Sequence, residues 1–297
     1  MKLGAPVLVL CLGLAGCGDG VPFNGPDDEP GGDTSSGMSS VYFSPENKQL
    51  TANNITYDAA TDTLTINNIP FDDPENKYQR ISTEAFANNF DAYESAPAVG
   101  SNEFQYYAVF QRTGESQVAA VGTDEYIGFG FGGAGAQRLG AKPTLPTTGI
   151  YSYTGEYAAV RTTRNHATIP NGIQYVTGVV QMSADFGDFD QIGAVTGIVN
   201  NRQAYNTAGV ATVALDGYIS LANNGSGQID FANAVITSAT ATEYDSANVA
   251  TATGSWEGVF AGPGGKEIAG IVFVEGINAR ETGGIIASCV TPAPTCP

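Results

Sequence analysis

The side chains able to do chemistry in this 297-residue chain are few and scattered. Hydrolysis by a covalent route needs a nucleophile beside a positioned base. The single histidine, His166, closes the run Arg161-Thr162-Thr163-Arg164-Asn165-His166, which reads as the turn after a strand, where an imidazole is solvated. The carboxylate pairs Asp72-Asp73 and Asp188-Asp190 fall in turn signals and lack the ligand spacing of a calcium loop. Gly128 to Gly135 is glycine-rich, yet no Lys-Ser/Thr follows and no βαβ unit surrounds it, so it is not a phosphate loop. The sequence therefore predicts no enzyme, no cofactor and no metal site.

The four cysteines divide by position. Cys289 and Cys296 enclose Val-Thr-Pro-Ala-Pro-Thr, and in an oxidising compartment they predict a small disulfide loop in a tail over 289–297; two free thiols are the alternative. Cys11 and Cys17 lie near the start. Lys2 precedes an apolar run from Ala5 to Leu14, about ten residues long, which suits a secretory signal and falls short of the roughly 20 that span a bilayer. The run ends in Leu14-Ala15-Gly16-Cys17. This resembles the bacterial lipobox, in which a peptidase cuts before a cysteine that carries lipid. The resemblance implies a signal peptide over residues 1–16, a lipid anchor with palmitate on Cys17, and a membrane partner. An aspartate directly after that cysteine favours inner-membrane retention; here the position holds Gly18, so the expected location is the outer membrane, at the cell surface.

The formal charge is −18, and removing residues 1–16 takes away one lysine and no acid. Such a field excludes nucleic acid as a partner and suits a soluble monomer beside a membrane. After Cys17 no run of 18 apolar residues occurs. Residues 17–40 are acidic and rich in Pro, Gly and Ser, which predicts a disordered tether.

The remaining chain reads as strands and turns. Over 41–145 a β-rich unit is expected. It has a hairpin of 54–57 with 63–66, a short helix from Ile81 to Phe90 capped by Ser82, a hairpin of 104–111 with 117–122, a strand from Tyr126 to Gly133, and a linker over 140–148. Over 146–288 eight strands are expected, near 149–160, 173–186, 192–200, 209–222, 228–239, 251–261, 266–275 and 282–288. Alternation places Val176, Val180, Met182, Ala184 and Phe186 on one face of the second, and Ala252, Trp256 and Phe260 on one face of the sixth. Eight sequential antiparallel strands with no helix between them predict an up-and-down barrel, because closure removes exposed edges. The fold class expected is all-β, with a smaller handle-like domain before the barrel.

The last hairpin, Gly258 to Phe273, carries Gly258, Phe260, Gly262, Pro263, Glu267 and Gly270 at the spacing G-x-F-x-G-P-x-A-x-E-x-x-G-x-F, with Gly265 in place of Ala and Val272 in place of the last aromatic. This resembles the closing hairpin of the barrel domain in bacterial transferrin-binding protein B and related surface lipoproteins. Ile150 to Tyr157, Ser183 to Phe186 and Val195 to Ile198 look like that barrel's first three strands. The resemblance implies a lobe made of handle and barrel, with length here for one lobe, and a non-enzymatic binding module for a protein ligand such as an iron or haem carrier. The alternative is a structural envelope lipoprotein with a filled barrel and no ligand. The motif residues read as structural, with Glu267 accepting hydrogen bonds from turn amides to tie its own hairpin shut. Recognition in antiparallel β modules sits on loops, and the basic loop around Arg161, Arg164 and His166, opposite in charge to the rest, is the expected contact site. Replacing Cys17 by Ser is predicted to release the protein from membranes; recovery of Cys17→Ser in the membrane pellet after fractionation would refute the anchor.

Overall fold

A computed structural model describes residues 40–43, 54–67, 69–72, 77–81, 86–164, 172–187, 193–222, 227–290 and 296. The signal segment, Cys17, the tether up to residue 39, His166, Asp73, Asp188, Asp190 and Ser82 lie outside these residues. Among the described residues no α-helix occurs, and every pairing is antiparallel.

The first unit is an eight-stranded sheet of β1 (Ser40–Phe43), β2 (Asn54–Asp58), β3 (Thr63–Asn67), β4 (Lys77–Arg80), β5 (Asp91–Ser95), β6 (Tyr107–Arg112), β7 (Ser116–Gly122) and β8 (Gly132–Arg138). Strands β2 to β8 form a meander, and β1 adds to β8. The two expected hairpins are there. At the first turn the Asp58 carboxylate accepts bonds from Ala60 N and Thr61 Oγ1, each 2.8 Å, which fixes an Asx-type bend. Two expectations differ. The strand foreseen at Tyr126–Gly133 begins only at Gly132, because Phe71, Phe104, Tyr126 and Phe131 gather as a ring cluster over the loop. The stretch foreseen as a helix shows bends at 87–89, and its described part is anchored to the second unit by Asn88 and Asn89 instead of by helical bonds.

The second unit is the barrel: β9 (Ile150–Thr163), β10 (Ile173–Asp185), β11 (Ala194–Tyr205), β12 (Ala211–Leu215) continued by β13 (Tyr218–Leu221), β14 (Ile229–Asp230), β15 (Val235–Tyr244), β16 (Ala250–Ala261), β17 (Glu267–Gly276) and β18 (Ala279–Cys289). It closes because β9 pairs with β10 on one side and β18 on the other. The fourth strand breaks at Asp216-Gly217 into β12 and β13. The fifth is displaced toward the C-terminus: residues 229–230 pair only briefly, and the main strand is 235–244. Alternation misplaced it because the Thr and Ala of this region give no contrast between faces.

Three apolar clusters organise the molecule. One fills the barrel lumen with Tyr153, Val176, Val180, Met182, Phe186, Trp256 and Phe260, the inward faces read from alternation; Leu145 plugs it from the linker. A second lies under the first sheet, away from the barrel, around Tyr78, Tyr93, Tyr106 and Phe110. Its buried tyrosines keep hydroxyl partners: Tyr78 to Asp72 at 2.6 Å, Tyr93 to Asp62 at 2.6 Å and Tyr106 to Pro70 O at 2.7 Å.

The third joins the two units, packing Val118, Ala120, Ala134 and Ala136 against Val160, Tyr175, Val259, Ile271 and Ile286. Strands β7 and β8 are thus buried on both faces, which is why they are rich in Ala, Gly and Val. Polar anchors cross this seam. Arg138, fully buried, donates from Nε to Phe260 O at 2.8 Å and from Nη2 to Asn233 O at 3.0 Å. Burial pushes its guanidinium down to about 10, still charged at neutral pH. Replacing Arg138 by Ala leaves buried carbonyls without donors and opens a void, so urea unfolding is predicted to show a loss of about 3 kcal/mol. Arg112→Ala, at an exposed position, serves as the contrast with about 0.5 kcal/mol or less; equal losses would deny Arg138 its anchoring role.

Candidate functional site

Four charged side chains point into one end of the barrel, each from a different strand: Arg161 of β9, Arg202 of β11, Glu243 of β15 and Glu281 of β18. Arg202 Nη2 lies 2.6 Å from Glu243 Oε1 and 2.8 Å from Glu281 Oε2. Arg161 Nη1 lies 3.2 Å and 2.6 Å from the same two oxygens. The Tyr157 hydroxyl donates to Glu281 Oε1 at 2.9 Å. Two cations and two anions close a ring across the lumen.

A backbone irregularity delivers Arg202 to this ring. Thr177 pairs with Gln203 and Val179 with Asn200, so β11 holds one extra residue opposite β10, and Asn201 takes a φ of 49°. Val199 and Arg202 then both face inward, which strict alternation forbids. Opposite the bulge stands Gly178, where a Cβ would come within 3.1 Å of Asn200 O and 3.2 Å of Arg202 Cγ. Glycine gives the bulged strand its room.

Burial raises the Glu281 carboxyl, and the guanidiniums of Arg202 and Arg161 outweigh it, holding the group below the usual range. Burial likewise lowers Arg202, and Glu281 and Glu243 reverse the effect, so its net shift is upward. The Tyr157 hydroxyl is held well above its ordinary value by burial and by Glu281. None of these groups is poised to exchange protons near neutrality. Glu281 and Arg202 are thus held in their charged forms, as members of a fixed electrostatic plug. Arg202 Nε and Nη1 are buried without partners among the described residues, a cost that argues against the ring as a device for stability alone.

Above the ring opens a cleft of about 440 Å3, with Arg161 and Glu243 in its lining and Asp216, Asp245 and Ile277 at its rim. Among the described residues no three His, Cys, Asp or Glu side chains gather as a metal-ion site.

The residues singled out by sequence distribute as follows. Arg161 lies within β9, not in a turn, and is held in the ring. Pairing continues past Arg161 on both sides, to Thr162 against β10 and to Thr163 against β18. Arg164 is exposed, with its guanidinium over the Phe129 ring at 4.6 Å. Gly258 and Gly270 face each other across β16 and β17, Phe260 is in the lumen, and Gly262, with φ 72°, leads into a 3-10 turn at Pro263–Gly265. Glu267 differs from expectation: its Oε1 accepts hydroxyl bonds from Thr113 at 2.8 Å and Ser116 at 2.6 Å, so it ties the barrel to the β6–β7 turn and not its own hairpin shut. Cys289 and Cys296 are bonded, with Cα atoms 5.8 Å apart. Sequence reasoning missed Arg202, Glu243 and Glu281. Their signal was a lone charge in two otherwise uncharged strands, Arg202 in β11 and Glu243 in β15; Glu281 stands beside Arg280 in β18 and had no such mark.

No protein-family model matches the chain, and no curated protein does. Solved structures of transferrin-binding protein B are similar. A double mutant of the Haemophilus parasuis vaccine antigen is 12% identical with a TM-score of 0.39, and 86% of this chain covers 45% of that one. A single mutant of the same antigen is 13% identical with a TM-score of 0.39, at 86% and 46% coverage. An intact Ap-TbpB, with N and C lobes, is 13% identical with a TM-score of 0.35, at 85% and 46% coverage. The chain spans less than half the length of each.

Removing Arg202, whose side chain is fully buried, leaves Glu243 and Glu281 to share Arg161 alone. Arg202→Met is predicted to cost about 3–5 kcal/mol in urea unfolding, while apolar replacement of all four is near neutral. Stability from Glu281 is full above its unfolded value of 4.5 and is lost as pH falls through its lower folded value, so acid unfolding should steepen below about 4.5. A second carboxylate acts with the opposite sign. Burial raises Glu257, which pairs with Ile271 at the inter-domain seam, to about 7. Its charging therefore removes stability as pH rises from 4.5 to about 7, and Glu257→Gln should raise the melting temperature at pH 8 and leave it unchanged at pH 4. Equal effects at both pH values would contradict the buried carboxylate.

Proposed function

We propose that the protein is a lipid-anchored module of the bacterial outer membrane that binds a protein partner through its surface. One observation carries this reading: the barrel lumen is filled, by aromatic and aliphatic side chains through most of its length and by the four-charge ring at one end. Small-molecule carriers of this architecture keep an interior space for their ligand, so recognition here falls to the outer surfaces and loops. The seam between the units, sealed by apolar packing and by Arg138 and Glu267, makes one rigid platform for such contacts. The lipobox-like segment ending in Cys17 supplies the attachment, and the acidic tether supplies reach.

The resemblance of the closing hairpin to that of transferrin-binding protein B makes iron and haem carrier proteins the first partners to test. A filled lumen also fits a structural envelope lipoprotein with no ligand. Pull-down with the soluble Cys17→Ser chain, using haem proteins and iron carriers as bait, separates the two. Saturable capture of one bait is the expected result; no capture above a bead control would favour the structural role.

A further inference from the structure

The barrel wall has an opening in its strand pairing. Strand β13 pairs with β15 up to Tyr218 opposite Tyr244, and there β15 ends. On the N-terminal side of the break at Asp216-Gly217 lies β12, which pairs with β11 alone; its other edge has no partner strand among the described residues. Residues Ala211 to Ala214 are all exposed, with Val210 and Val213 more than half so. Natural sheets guard such edges with lysine, proline or inward charges, and Val210 to Leu215 has none of these. The register slip opposite Gln203–Tyr205 twists the strand but leaves its side chains uncharged. Beside the edge lies the 440 Å3 cleft, reached from Leu215 on one side and from Glu243, Tyr244 and Asp245 on the other. It is lined by three carboxylates and one guanidinium, and that guanidinium, of Arg161, is already bound by Glu281 and Glu243.

We propose that the free edge of β12 and its cleft take up an extended, basic segment of a protein partner. The segment adds a strand to the barrel wall and places a lysine or arginine among Asp216, Glu243 and Asp245. Main-chain hydrogen bonds supply affinity in such strand addition, and alternate side chains supply specificity. The acidic chain draws a basic segment toward it. This inference rests on the binding-module reading and names its site.

The probe is an octapeptide of alternating valine and lysine, labelled for fluorescence anisotropy and added to the full chain made soluble by Cys17→Ser. Two control peptides replace lysine by glutamate or carry alternate N-methyl groups. At least tenfold weaker binding is expected for both controls and for the lysine peptide on a Val213→Lys, Asp216→Lys double variant. Hydrogen exchange should slow at residues 211–215. Equal binding of the lysine and glutamate peptides, indifference to N-methylation, or protection confined to other strands would overturn the proposal. The N-methyl comparison needs no variant, so a misfolded variant cannot mask the answer. In the pull-down, undiminished capture of a bait by the double variant would sink this site and leave the module reading intact. Peptide binding with no captured bait would keep the site and remove the iron or haem partner.

Discussion

Everything in the molecule depends on the pairing of β9 with both β10 and β18. That double pairing closes the barrel. Closure leaves a lumen that eight strands make just wide enough to fill with side chains. A lumen so narrow must be packed or solvated, and here it is packed, with Trp256, Tyr153 and Phe260 in one apolar cluster and two arginines and two glutamates at one end. The charges are tolerable there only as a neutral set, since any one alone in that dry space is far more costly than the set together. The ring is a direct consequence of closure: its members are far apart in sequence and meet because the wall curls back on itself.

The outer face of the same wall is equally constrained. Ala158 and Val160 of β9, Val259 of β16, Ala269, Ile271 and Phe273 of β17 and Ile286 of β18 make an apolar patch on the barrel exterior, and the first sheet covers it. That sheet in turn is thin and Gly- and Ala-rich at β7 and β8, which lets its backbone approach closely. Arg138, Glu267 and Arg280 then satisfy carbonyls and hydroxyls along the seam. Sheet and barrel are one packing problem, joined by apolar contact and by buried hydrogen bonds.

The open edge at β12 is the exception to closure. The wall is continuous where β13 meets β15 and discontinuous where β12 outruns it, and the acidic cleft lies in that discontinuity. A partner segment there would complete the pairing that the chain itself leaves unfinished.

Alternation along the chain by itself determined the all-β class, the strand count of the barrel and the inward faces of β10 and β16, because a period of two is a local property of the pleat. It failed where locality fails. The fifth strand slid because threonine and alanine mark neither face; Arg202 turned inward because one extra residue in β11 reset the alternation; Arg161 stayed in its strand because both neighbours continued the pairing. The turnward reach of Glu267 to Thr113 and Ser116 spans more than half the sequence, and no spacing rule contains it. Which charges meet, and which edge stays open, were decided only by the tertiary fold, since both depend on where the curling wall brings distant residues together.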